Sequence, residues 1–270
     1  MSGSFKVLRL IDHFRHAPAG AAFNMALDEA LLESACKGQS PPTLRLYGWS
    51  EPSVSLGRHQ RASDVDMGFC RQRSIPVVRR PTGGRAILHG LELTYSFSAH
   101  LPLPGFGQSV LDSYGALSRA FMHAFKRLGL AALNGSRRKK GPGPGGANPL
   151  CFASASYGEI SVRGKKIIGS AQRRCTDGFL QQGSIPLELD RETMAWVFYK
   201  AGGDADNGMA ALGELDGSIT LEGLKDAVVN GFRDVFSIDV ARSGPDEREE
   251  ELAARLAERK YLSEHWTLRR

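Results

Sequence analysis

Apolar positions along the chain fall into two spacings, and these predict most of its elements. Residues 7–11 form a short apolar run and predict an opening strand. Phe23, Leu27, Ala30, Leu31 and Ala35 then recur at three- and four-residue intervals, which predicts an amphipathic helix over residues 22–36. Asp28 and Glu29 on that helix read as solvent-facing or capping groups. Residues 38–42, with Gly38, Pro41 and Pro42, break the pattern. Residues 43–47 and 53–56 predict short strands joined by a turn at Ser50-Glu51-Pro52. A second helix is expected over residues 64–73 and a strand over 75–79. The loop Pro81-Thr82-Gly83-Gly84-Arg85 leads into a strand over 86–89. Residues 92–99 alternate and predict a further strand. Val110, Tyr114, Leu117, Phe121, Phe125 and Leu128 mark a long helix.

Residues 134–149 lose all periodicity. They hold Arg137-Arg138-Lys139-Lys140 and then Gly141-Pro142-Gly143-Pro144-Gly145-Gly146, a density of Gly and Pro that defeats both helix and strand ladder. A flexible Arg/Lys–Gly/Pro loop is expected there. Three strands follow over 157–163, 166–174 and 178–188, with turns at Arg163-Gly164-Lys165 and Thr176-Asp177-Gly178. From Leu221 onward the pattern is mostly helical. No internal repeat is visible. Strand pairs mixed with a few long helices indicate an α+β or mixed α/β sheet. The lack of strict βαβ alternation argues against a doubly wound dinucleotide fold.

The chain has 270 residues, 41% of them hydrophobic, enough for one large domain or one domain with a small appendage. Its net charge of +6 and pI of about 9.2 bias it toward acidic partners. Zinc-finger spacing and an aromatic-interleaved basic sheet are both missing, which argues against nucleic acid as the main partner. No apolar run approaches the ~18 residues that span a bilayer. The opening residues lack the apolar stretch of a signal peptide, so a cytoplasmic protein with no membrane partner is expected. The four cysteines, Cys36, Cys70, Cys151 and Cys175, are scattered without a CxxC pair. This argues against a zinc site, or any metal centre, and against a disulfide framework, and predicts free thiols.

Three stretches can carry chemistry. In Arg79-Arg80-Pro81-Thr82-Gly83-Gly84-Arg85-Ala86-Ile87-Leu88-His89, paired glycines let the backbone approach a ligand, and free N–H groups can hold a carbonyl or phosphate oxygen. Three arginines in this run suit an anionic group. The alternative is a tight turn with solvated arginines. In Gly164-Lys165-Lys166-Ile167-Ile168-Gly169-Ser170-Ala171-Gln172, a lysine at the start of an apolar strand can aim its ammonium into a pocket, or it can be an exposed hairpin lysine. Cys151, in Asn148-Pro149-Leu150-Cys151-Phe152, offers a thiolate able to take an acyl group from a thioester. A buried inert thiol is the competing reading, and Cys175 is a rival by the same logic.

At these residues the chain resembles the lipoate/biotin ligase and lipoyl(octanoyl)transferase superfamily. The resemblance runs over nearly the whole length. It rests on Phe23-Asn24-Met25-Ala26-Leu27-Asp28-Glu29-Ala30-Leu31, on Pro52-Ser53-Val54-Ser55-Leu56-Gly57-Arg58-His59-Gln60, on the run from Arg79 to His89, on Lys166-Ile167-Ile168-Gly169-Ser170-Ala171-Gln172, and on Gln181-Gln182-Gly183-Ser184-Ile185. It implies one catalytic domain of the class II aminoacyl-tRNA synthetase/biotin-ligase type, a mixed sheet flanked by helices without a C-terminal accessory domain. An acyl chain is expected between the glycine loop and the lysine strand. ATP-dependent ligases of the family usually have a third glycine where this chain has Arg85. After the loop histidine they usually have an Asp-x-Gly-Asn-like stretch, where this chain has Gly90-Leu91-Glu92-Leu93. The Pro-Cys-Gly block of another octanoyltransferase class is missing. Gly83-Gly84-Arg85, Cys151-Phe152 and Tyr261-Leu262-Ser263-Glu264-His265-Trp266 resemble the LipM-type octanoyltransferases.

That resemblance implies an acyltransferase of lipoate biosynthesis. Octanoyl would pass from acyl carrier protein to Cys151 and then to a lysine of the glycine-cleavage H protein or another lipoyl domain. Lys166 is implied as the partner of Cys151 and Cys175 as a structural thiol. Arg80, Thr82, Gly83, Gly84, Arg85, His89, Gly169, Ser170 and Ala171 are the implied substrate-binding residues. No cofactor is expected. Three alternatives stay open: an ATP- and magnesium-dependent lipoate ligase acting through an acyl-adenylate, an amidotransferase between lipoyl domains, and a non-catalytic acyl- or lipoyl-binding regulator.

Overall fold

The computed structural model describes residues 5–15, 18–134, 160–199 and 208–269. Its larger sheet joins β1 (Val7–Asp12), β2 (Thr43–Tyr47), β6 (Glu92–His100), β7 (Ala132–Asn134), β8 (Ile160–Val162), β9 (Lys165–Arg174), β10 (Gly178–Pro186) and β11 (Asp239–Arg242) in the order β11-β1-β2-β6-β10-β9-β8-β7. A smaller sheet, β4-β3-β5, uses β3 (Ser53–Leu56), β4 (Val77–Arg79) and β5 (Ile87–His89). Pairing is mixed: β1 runs parallel to both β2 and β11, and β2, β6, β10 and β9 are antiparallel in turn. The helices are α1 (Ala21–Cys36), α2 (Met67–Gln72), α3 (Val110–Arg127), α4 (Arg191–Val197), α5 (Leu212–Leu215), α6 (Leu221–Phe236), α7 (Glu247–Leu256) and α8 (Glu264–Leu268). This is the expected mixed sheet flanked by helices.

The alternation of β6 explains how the layers assemble. Leu93, Tyr95, Phe97 and Ala99 point to one face because side chains alternate along a strand. They are fully buried with the aromatics of α3 and α6. Tyr95 lies 4.4 Å from Phe121, and Phe97 lies 5.2 Å from Phe106 and 5.9 Å from Phe232, ring centre to ring centre. Glu92, Thr94, Ser96 and Ser98 point the other way, and they too are buried. Register aligns Arg45, Ser96, Gln182 and Ala171 in one row across four strands, and Tyr47, Thr94, Ser184 and Gly169 in the next. Helix α1 packs over this polar face and is covered on its far side by α7.

That placement corrects the reading of Asp28 and Glu29 as solvent-facing. Both are buried. Periodicity finds the apolar stripe of a helix, but it cannot show that the opposite face is also covered. Glu29 accepts from Arg173 Nη1 at 2.7 Å, from Tyr261 Oη at 2.7 Å and from Lys260 Nζ at 2.5 Å, tying α1 to β9 and to the π-helical turn Ala257–Tyr261.

Several local differences have plain causes. The helix expected over 64–73 is shorter, because Asp66 caps α2 by accepting from the Phe69 N–H at 2.9 Å after a 3-10 turn at Ala62–Asp64. β11 interrupts the expected helical C-terminal region by pairing with β1, a partner too distant in sequence for local pattern to reveal. The hairpin between β8 and β9 turns at Arg163 and Gly164, both at positive φ (51° and 77°), as a two-residue turn requires. The expected free thiols at Cys36 and Cys175 are instead a disulfide, 139 residues apart in sequence with Cα atoms 6.5 Å apart. It forms where the end of α1 meets the β9–β10 turn. Arg137 to Lys140, the Gly/Pro run and Cys151 lie outside the described residues.

Candidate active site

The small sheet carries the glycine loop. Arg79, at the end of β4, is fully buried and donates to the carbonyls of Gly57 (2.7 Å), Gln60 (2.7 Å) and Thr267 (3.0 Å). Trp266 Nε1 donates back to the Arg79 carbonyl at 2.8 Å, so the C-terminal α8 clamps the loop's root. Arg80 donates to the carbonyls of Gly83 (3.1 and 2.7 Å), Arg85 (2.6 Å) and Ser55 (2.9 Å), and to Ser55 Oγ (3.0 Å). The expectation that this arginine cluster serves an anion is corrected for Arg79 and Arg80. Their guanidinium groups bind main-chain carbonyls, because a fork of rigid donors matches a curled backbone as well as it matches a carboxylate. Arg85 is partly exposed. Gly57 must be glycine, since a Cβ there would lie 1.8 Å from the Gly84 carbonyl oxygen. Around Gly83 the space is open.

Beneath the loop lies a narrow cavity with room for about 20 Å³ of water. It gathers Arg80 and His89 from the glycine block with Gly169, Ser170 and Ala171 from the lysine strand, two segments far apart in sequence. Met25, Trp49, Ile87 and Ala171 give it apolar walls, and a few polar groups converge on it, the usual make-up of a small-molecule site. Thr82, Gly83, Gly84 and Arg85 do not line it. Lys166 does not either: it is buried three residues before Gly169, and its backbone pairs with Gly208 and Ala210. A wider groove beside α3, lined by Arg119, His123 and Lys126 among others, gathers none of the expected site residues.

The polar side of the cavity is one connected network. Asp28 Oδ1 accepts from Arg45 Nη1 (2.7 Å) and Ser96 Oγ (2.6 Å), and Oδ2 accepts from Tyr47 Oη (2.8 Å) and Gln182 Nε2 (2.7 Å). Asn24 Oδ1 accepts from Arg45 Nη2 at 2.6 Å. Gln182 Oε1 accepts from Thr82 Oγ1 at 2.7 Å, which couples the glycine loop to α1 through the sheet. Burial, and then the negative Asp28 beside it, hold the Tyr47 phenol well above its ordinary range, so it stays a donor.

A second cluster sits at the loop end of the cavity. His89 stacks on Trp49, with ring centres 3.8 Å apart. Its Nε2 is 2.7 Å from Ser55 Oγ and its Nδ1 is 2.9 Å from Glu92 Oε1. Burial pushes the Glu92 carboxyl up, but His89, then Thr94 and Ser184, outweigh this and hold it below the usual 4.5. Thr94 also donates to Glu92 and accepts from Trp49 Nε1 at 2.8 Å.

Sequence reasoning singled out none of Asn24, Asp28, Arg45, Tyr47, Trp49, Ser55, Glu92, Gln182 and Ser184 as site residues. Five lie in the blocks that carry the family resemblance: Ser55, Gln182 and Ser184 are alternate polar positions on strands, and Asn24 and Asp28 are one turn apart on α1. Among the described residues, no group of three His, Cys, Asp or Glu side chains stands where it could hold a metal ion.

The signature of the lipoyl protein ligase A/B catalytic domain matches residues 20–233. The chain is 35% identical to octanoyltransferase LipM of Carboxydothermus hydrogenoformans, over 97% of this chain and 98% of that one. It is 37% identical to octanoyltransferase LipM of Kyrpidia tusciae, over 93% and 95%. Among solved structures, a lipoate-protein ligase A bound with ATP superposes with a TM-score of 0.79 at 23% identity, covering 98% of this chain and 99% of that one. The bi-partite lipoate protein ligase of Thermoplasma acidophilum gives 0.77 at 23% identity, covering 98% and 97%. These two carry the fold. The glycine loop and the lysine strand both lie within the matched span, and the chain belongs to the lipoyl protein ligase A/B catalytic domain family.

Proposed function

We propose that this chain is an octanoyltransferase of lipoate biosynthesis, which takes an octanoyl group onto Cys151 and passes it to a lysine of a lipoyl-carrier protein. The observation that carries the reading is the full-length likeness, at 33–37% identity, to a series of octanoyltransferases. The other cysteines support the choice of nucleophile. Cys36 and Cys175 are bonded to each other. Cys70 is buried, and its thiol is pushed up to about 11 by burial and by Asp66, which suppresses the thiolate. Of the four cysteines, that leaves Cys151.

In this reading the Cys151 thiolate attacks the donor thioester, its sulfur bonds to the acyl carbon, and the donor thiol leaves. The acceptor lysine then attacks the octanoyl thioester, an amide forms, and the Cys151 sulfur leaves. The octanoyl chain enters the apolar-walled cavity beneath the glycine loop, and the cavity widens to admit it. Lys166 orients the acyl carbonyl or moves a proton at Cys151. The donor is acyl carrier protein and the acceptor the glycine-cleavage H protein or another lipoyl domain; the +6 net charge suits acidic carriers. ATP and magnesium are not required. Among the described residues no helix is long and apolar enough to cross a membrane.

The test is intact-protein mass spectrometry after mixing with octanoyl-acyl carrier protein in the absence of ATP. An octanoyl adduct on Cys151, lost in Cys151→Ser, is expected. Acylation of the H protein only when octanoate and ATP are supplied would make the chain a ligase.

A further inference from the structure

The cluster Ser55–His89–Glu92 is organised beyond what packing requires. A hydroxyl oxygen offers one donor and two acceptor sites. At Ser55, Arg80 Nη1 fills one acceptor site at 3.0 Å. The Glu92 carboxylate beside Nδ1 calls for a proton on that nitrogen, so in the neutral ring Nε2, 2.7 Å from Ser55 Oγ, is the acceptor of the Ser55 proton. The Nδ1–H then points to Glu92 Oε1 at 2.9 Å. Tautomer and ring direction are thereby set from both sides, and Trp49 holds the ring plane. The second acceptor site of Ser55 has no assigned partner among the described residues, and Ser55 lines the cavity. A serine on the ring nitrogen opposite a buried carboxylate is the geometry that moves protons in acyl-transfer enzymes, recognisable by roles rather than by sequence order.

We infer that Ser55, His89 and Glu92 form a proton relay that serves attack of the acceptor amine on the acyl carbonyl. The inference deepens the acyl-transfer reading and rests on it for the reaction. A neutral lysine amine bonds through nitrogen to the carbonyl carbon and must shed one N–H proton. That proton passes to Ser55 Oγ as the Ser55 proton passes to His89 Nε2. The imidazolium so formed is paired with Glu92. The carbonyl carbon releases its leaving group with the bonding electrons, and His89 returns the proton to it through Ser55. For an octanoyl thioester of Cys151 the leaving group is the thiolate, so the sum is amine plus thioester giving amide plus thiol. Ser55 is the group that meets the amine; His89 and Glu92 act through it. Arg80 steadies Ser55 when its oxygen carries excess charge.

The relay is tested on the full chain by following amide formation on the H-protein lysine, with two donors in parallel, octanoyl-pantetheine and octanoyl-adenylate. Attack by the amine releases the same proton from either. His89→Ala is expected to slow amide formation roughly 10²–10⁴-fold, and added imidazole to restore part of the rate saturably. Ser55→Ala, the smaller change, is expected to slow it comparably with no response to imidazole. A folded Ser55→Ala chain that forms amide at the wild-type rate, or a His89→Ala chain that imidazole does not revive, overturns the relay. Failure of the thioester reading shows separately, as a Cys151→Ser chain that still forms amide at the wild-type rate.

Discussion

The two faces of β6 are equally buried and differ in what burial achieves. On the Leu93–Tyr95–Phe97–Ala99 face the contacts are apolar and aromatic apart from the Tyr95 hydroxyl, which meets Ser170 and Gln181, and at Leu93 and Phe97 another apolar side chain of similar volume would hold the helices nearly as well. On the Thr94–Ser96 face Thr94 is held by Glu92 and Trp49 and Ser96 donates to Asp28 of α1, and a change at one strands another. The first face supplies stability; the second ties cavity residues of α1, β2, β6 and β10 to one another. A fold can thus keep its core and its site on opposite sides of one strand.

Substitutions of matched cost on the two faces test this contrast most severely. Asp28→Ala leaves Arg45 buried without its charge partner and is expected to lose about 3–5 kcal/mol in denaturant unfolding. Phe97→Ala is expected to lose a similar ~3–5 kcal/mol by opening a hole in the aromatic stack. Only Asp28→Ala should abolish amide formation in the protein that stays folded. Equal activity in the two variants would erase the distinction. Next in size is Gly183→Ala. A Cβ there would lie 2.2 Å from Tyr95 Cε1 and 2.9 Å from Ser170 Oγ, so about 1–3 kcal/mol of overpacking is expected, together with a raised KM for the acyl donor. Thr82→Val removes one buried hydrogen bond to Gln182 and should cost about 1–2 kcal/mol, with a larger proportional loss of activity than of stability.

The smallest effect is with pH. Burial pushes the Glu29 carboxyl up, but Lys260, Tyr261 and Arg173 outweigh it and hold the group below its usual 4.5. A carboxyl depressed on folding contributes stability that is fully present above about pH 4.5 and is lost as pH falls through the folded value. Glu29→Gln should therefore lower the melting temperature at pH 7 and show a shallower loss of stability below about pH 4.5 than the parent.

The elements were legible from spacing, and five of the cavity residues were legible in the two motif blocks. What stayed hidden shares one cause. Asp28 sits opposite an apolar stripe, where solvent is the ordinary expectation, and nothing local says that Arg45 lies across from it. Ser96 and Gln182 meet only through strand register, and Cys36 finds Cys175 only after the chain has folded. Arg80 shows the converse: its residue type suggested an anion, and its neighbours' carbonyls took its donors. Local pattern reports what a residue prefers, whereas a site depends on which preferences the topology satisfies first.

The disulfide makes residues 36–175 a covalent ring. A single proteolytic cut anywhere within it leaves both fragments attached, so a nicked chain migrates as one species until a reductant is added. The ring includes the glycine loop, His89 and, in sequence, Cys151. A thiol added to keep Cys151 reduced therefore also opens the ring. Activity measured with and without reductant mixes the two effects, and a Cys36→Ser/Cys175→Ser chain, which has no ring to open, separates them.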